Sequence, residues 1–173
     1  MSVVVGCAMT AALLALGAGL AKLASPRTAV AAMRSARLPA SDLLVRVGSL
    51  AEISLGVVVL LQGAWLACAV LGIAYVGFAV FSLVAVRAGR ATPCGCFGPR
   101  TSVIGWRHVV TNLVLAAGLC ATAADRGPSA VSLVRLSPSL GAASLVVAVV
   151  AAVLAATFLS GPMASARPAP RDA

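Results

Sequence analysis

The run Ala64-Trp65-Leu66-Ala67-Cys68-Ala69-Val70-Leu71-Gly72-Ile73-Ala74-Tyr75-Val76-Gly77-Phe78-Ala79-Val80-Phe81-Ser82-Leu83-Val84-Ala85-Val86-Arg87 carries no charge until its last residue. At 1.5 Å of helical rise per residue it is long enough to cross the roughly 30 Å hydrocarbon core of a bilayer. Within it Ala64, Cys68 and Gly72 recur every four residues, a small-residue stripe on which a neighbouring helix can pack closely. After four intervening residues stands Thr92-Pro93-Cys94-Gly95-Cys96-Phe97-Gly98-Pro99-Arg100. Two prolines and two glycines deny that stretch a helix or a strand, so the thiols of Cys94 and Cys96 are expected on a tight loop between two apolar runs.

The rest of the chain repeats the apolar pattern. Of 173 residues, 61% are hydrophobic and 10% charged, and the mean hydropathy is +1.08, which excludes an ordinary soluble domain. The reading is an all-α polytopic membrane protein with five spans at about 3–24, 42–62, 64–87, 105–124 and 139–160. Four form a packed bundle and the fifth, with no ionisable residue, is peripheral. Residues 1–160 make one membrane domain, and 161–173, rich in Pro, Ala and Arg, form a disordered basic tail. The second and third spans meet at Gln62-Gly63 as an antiparallel hairpin, and Ser41-Asp42 is placed to cap the second.

Thirteen Lys and Arg against four Asp and Glu give a net charge of +9. With aromatic residues at only 4%, and the cations between apolar runs, the pattern is that of membrane-helix flanks and excludes a nucleic-acid surface. Five spans put eleven of the 13 cations on the side of the Cys94–Cys96 loop; Arg126 and Arg135 lie opposite. The positive-inside rule then makes the loop cytoplasmic and the N-terminus external.

Cysteines two apart can bring their Cα atoms within the roughly 4.4–6.8 Å that a disulfide tolerates. So small a ring is strained and therefore oxidising, which suits exchange better than stapling. Gly95 relieves crowding, and Arg90 and Arg100 favour thiolates by charge. Two other readings remain open: a turn whose cysteines are incidental, and a soft-metal site, disfavoured because two thiolates do not complete a coordination sphere and His108 is the only histidine. Cys7, Cys68 and Cys120 fall near the opposite membrane face and read as packing residues.

Glu52 is ten residues into the second span, roughly 15 Å deep. A carboxyl there is costly unless protonated or paired, and is expected to face the bundle interior with a partner such as Asn112 or a backbone group. Asn112 and His108, one turn apart on the fourth span, extend a polar funnel from the loop inward.

Lys22 at the end of the first span, Glu52 in the second, the Cys94-Gly95-Cys96-Phe97-Gly98 loop, and the stretch from Arg107 to Asn112 together resemble the MauE branch of the DoxX-like membrane proteins. The likeness covers about residues 1–125. It implies a part in methylamine utilisation: assisting, with a thioredoxin-like partner, disulfide formation in an exported methylamine dehydrogenase subunit. On that resemblance Cys94 and Cys96 are the redox pair, Gly95, Phe97 and Gly98 support the loop, and Glu52 and Asn112 are polar bundle residues. Such a role implies thiols on the exported side, the reverse of the charge-based orientation. A quinone is a candidate electron acceptor, and the disulfide-bearing client a candidate partner besides the bilayer itself. A different class of function is a non-enzymatic membrane subunit or small-solute carrier with a polar path around Glu52 and Asn112.

Overall fold

A computed structural model describes residues 3–88, 94, 103–125 and 129–160. Among them are seven helices: α1 (Val3–Ala24), α2 (Pro26–Ser35), α3 (Asp42–Gln62), α4 (Trp65–Arg87), α5 (Trp106–Asp125), α6 (Ala130–Leu136) and α7 (Pro138–Ser160). Five of these, α1, α3, α4, α5 and α7, are long and apolar enough to cross a membrane. The protein is an all-α, multi-pass membrane protein. Each span begins and ends within a residue of its expected limits. The tail at 161–173 and loop residues Gly95, Cys96, Phe97 and Gly98 lie outside the described residues.

Local chemistry sets the helix limits. The Ser41 hydroxyl accepts from the Leu44 amide at 3.1 Å at the start of α3, satisfying one of the amide donors a helix start leaves unpaired. At its end Gly63 turns left-handed (φ 60°) while its N–H donates to the Val59 carbonyl, a conformation that glycine adopts without Cβ strain. Ser129 caps α6 through the Ser132 amide at 3.0 Å. Pro138 opens α7, where its missing N–H costs nothing.

Two helices depart from the loops expected at their positions. In α2, Pro26, Ala29, Val30 and Ala32 are buried while Arg27 and Arg34 are exposed. Ten residues with that pattern make an amphipathic helix that lies on the bundle end, too short and too charged to span. The short α6 lies at the other end, packed on α7 and α3.

The hub is α1, which packs on α3, α5 and α7 and buries Ala8, Ala11, Ala12 and Ala15. The small-residue stripe of α4 meets α5: Cys68 is buried, and a Cβ on Gly72 would stand 3.1 Å from the Cys120 sulfur. Although consecutive and antiparallel, α3 and α4 separate along their length, α3 leaning chiefly on α1 and α4 on α5. The peripheral α7 rests on α1 and α6 through Gly141, Ser144, Ala148 and Ala152. Leu50, Ile73, Val80, Leu113, Val147 and Leu154 are exposed, the inverted pattern that acyl chains allow.

The α1–α3 seam positions the site described below. A Cβ on Gly56 would stand 2.9 Å from the Ala12 carbonyl oxygen, and one on Gly19 would stand 2.9 Å from the Ser49 carbonyl. Backbone cannot yield there as a side chain can. Gly56→Val is therefore expected to destabilise the detergent-solubilised protein by about 1–3 kcal/mol. Gly17→Ala, where nothing lies within 4 Å, should leave the thermal midpoint unchanged; equal midpoints for Gly56→Val and wild type would refute the close seam.

Candidate functional site

Three residues beyond Gly19, on the face of α1 that meets α3, stands Lys22. Three residues beyond Ser49, on the matching face of α3, stands Glu52. The register of the seam thus brings them together: Lys22 Nζ donates to Glu52 Oε1 at 2.5 Å and to Oε2 at 2.6 Å. The two side chains are only 12% and 13% exposed. The ammonium also lies 5.3 Å from the ring centroid of Phe78 on α4, a cation–π distance. One cation therefore ties α1 to both α3 and α4. The carboxylate's partner is Lys22, not the Asn112 or backbone group expected from the sequence.

The pair borders a cavity of about 70 Å³ whose polar lining is Lys22, Glu52, Tyr75, Ser82, Cys94 and Asn112. That space suffices for a few waters or one small polar group. The Tyr75 hydroxyl donates to the Ala11 carbonyl of α1 at 2.7 Å, and its ring meets Phe78 edge-to-face at 5.9 Å. Asn112 comes from α5, so all four bundle helices contribute to the wall.

Cys94 is 4% exposed and packs with Ala85 and Ile104, with Phe81 and Val86 against them. The sequence suggested a thiol displayed on a surface loop. Instead, the apolar residues on either side of the loop draw Cys94 into the mouth of the bundle, where it borders the same cavity as the ion pair.

His108 is 3% exposed, and its Nδ1 accepts from the Gly105 amide at 3.1 Å. It holds the first turn of α5 in shape, leaving Asn112 as the residue of that helix in the polar wall. The other three cysteines are packing residues at the far end of the bundle. Cys68 is fully buried, the Cys120 sulfur lies against Gly72, and the Cys7 thiol sits on Gly118 and donates to the Val114 carbonyl at 3.6 Å.

The family described as "Methylamine utilisation protein MauE" matches this chain over residues 1–125. The chain belongs to the MauE family. No curated protein and no solved structure matches it. The MauE match takes in α1 to α5, so the ion pair, Cys94 and Asn112 all fall inside it, while α6 and α7 lie beyond. In this MauE-family chain the residue that sequence reasoning undervalued is Lys22, which had counted as a flanking charge. Its signal was the shared helical face with Gly19.

Proposed function

We propose that this MauE-family protein is a membrane thiol–disulfide redox protein, in which Cys94 and Cys96 cycle between dithiol and disulfide to support disulfide formation in, or maturation of, a partner protein. The observation that carries the reading is the burial of Cys94 on a cavity it shares with the Lys22–Glu52 pair. A carboxylate and an ammonium bordering the same cavity as a thiol offer a base for its proton and a cation for the thiolate that remains.

In the oxidising direction a client thiolate attacks one sulfur of the Cys94–Cys96 disulfide, releasing the other as thiolate. The client's second thiolate then attacks the mixed disulfide, leaving the client oxidised and the pair reduced by two electrons. A thioredoxin-like protein is the proposed intermediary, and a methylamine dehydrogenase subunit the client that the resemblance to the family implies.

The test is a single turnover. Oxidised, purified protein mixed anaerobically with an equal amount of a reduced two-cysteine peptide should convert about one peptide per protein to its disulfide. An unchanged peptide would end the proposal.

Orientation gives a separate expectation. Lys22 is taken up by the ion pair, yet the other ten cations on the thiol side still outnumber the two opposite, which supports a cytoplasmic loop. In a variant with Cys7, Cys68 and Cys120 replaced by alanine, a membrane-impermeant maleimide should label only permeabilised cells. Labelling of intact cells would assign the loop to the exported face, as maturation of an exported client implies.

A further inference from the structure

A second and larger cavity, about 470 Å³, opens where α3 and α4 separate. Its size falls within the roughly 300–1,000 Å³ of small-molecule sites. Ala29, Ala32 and Met33 of α2 cover one end, and Leu44, Val45 and Ala74 contribute apolar wall. The polar floor is the Lys22–Glu52 pair. Lys22, Glu52, Phe78 and Phe81 line this cavity and the thiol cavity alike, so the pair and the two aromatic rings form a common partition.

Two glycines help to hold the groove open. Gly48 on α3 and Gly77 on α4 both line it, both are exposed, and nothing lies within 4 Å of where a Cβ would stand on either. Exposure within the spanning part of α3 and α4 means exposure to lipid, so the groove is entered from the bilayer.

The chemistry on the two sides of the partition selects the occupant. Oxidising the Cys94–Cys96 dithiol releases two electrons and two protons, and something must accept them. An acceptor that enters from lipid needs an apolar body. One that stops at the partition needs oxygen atoms able to accept from the Lys22 ammonium, and a flat ring suits the faces of Phe78 and Phe81.

We propose that the α3–α4 groove binds a membrane quinone, its carbonyl end at the Lys22–Glu52 pair and its tail leaving past Gly48 and Gly77, and that this quinone reoxidises the thiol pair. Two S–H bonds break and one S–S bond forms. The two electrons and two protons reduce the quinone to the quinol, with two new O–H bonds. The inference rests on the thiol–disulfide reading and adds its terminal acceptor.

Decylubiquinone serves as the probe, added anaerobically to reduced, purified protein in nanodiscs. Binding is measured by equilibrium titration, and electron transfer by quinol absorbance together with loss of free thiols. Wild type should bind it and form about one quinol per thiol pair. Gly48→Leu and Gly77→Leu each place a side chain at the groove from a Cβ position with nothing within 4 Å, and should weaken binding at least tenfold with the thermal midpoint retained. Gly17→Leu, equally open but lining neither cavity, should behave as wild type.

Wild type that oxidises the dithiol peptide yet neither binds decylubiquinone nor is reoxidised by it overturns the quinone proposal and leaves the redox reading standing. Full binding in both filled variants also overturns it, because the occupant then sits elsewhere. Retention of a phospholipid in the groove, undisplaced by saturating decylubiquinone, overturns it in favour of a structural lipid. Binding without any thiol oxidation overturns the electron transfer proposed here, whereas failure to oxidise the dithiol peptide is what would end the redox reading.

Discussion

Cys94→Ser is expected to abolish single-turnover oxidation of a dithiol peptide, a loss of roughly a hundredfold or more, because two sulfurs that act as one unit fail together. Cys96→Ser should lose as much. Serine nearly matches cysteine in size, so the packing of Cys94 with Ala85 and Ile104 should survive. Burying a hydroxyl there costs only about 1–3 kcal/mol. Membrane insertion and yield should therefore change little while exchange disappears. Cys68→Ala and Cys120→Ala, at the other end of the bundle, should keep full exchange. A carrier would respond in the opposite way, tolerating serine at both loop positions and failing at Glu52.

The second large effect concerns stability. Lys22→Met leaves the Glu52 carboxyl buried ten residues into α3 without its cation, an imbalance of about 3–5 kcal/mol. The thermal midpoint in detergent should fall by on the order of 10 °C. Lys22→Met combined with Glu52→Leu removes both charges and should recover most of that loss, since buried pairs are often replaceable by apolar residues at little cost. If the pair has the chemical part proposed, the double variant will be stable but roughly a hundredfold or more slower in dithiol oxidation, the scale of a lost acid–base group. A double variant as unstable as the single would show that the two residues are not energetically coupled. One that is stable and fully active would reduce the pair to a structural tie.

The spans were legible because each is a long, predominantly apolar run with few charges, and membrane helices must satisfy their own backbone. Ser41 and Gly63 were legible as end signals, and the stripe at Ala64, Cys68 and Gly72 as a packing face, though not that α5 would be the helix to use it. What one-dimensional reading missed depends on which helices are neighbours. Lys22 sits in the last turn of α1, where a cation ordinarily reaches water. Only the glycine-mediated approach of α1 to α3, at Gly19 and Gly56, turns it inward to Glu52. The burial of Cys94 was hidden because Pro- and Gly-bounded loops normally stay at the surface. Nor does a tight turn at Gln62-Gly63 require α3 and α4 to touch along their whole length, and the groove exists because they do not. Helices α2 and α6 escaped a search for spans because both are far too short to cross a bilayer.

The most direct test of the central claim, that Cys94 and Cys96 form an exchangeable pair, is equilibration of the purified protein in glutathione buffers of graded redox potential. After acid quenching and alkylation, mass spectrometry reads the fraction linked Cys94 to Cys96. The account predicts one reversible two-electron transition, at a potential above the roughly −300 mV typical of structural disulfides. No linkage between Cys94 and Cys96 at any potential, or one that glutathione cannot reduce, would contradict it.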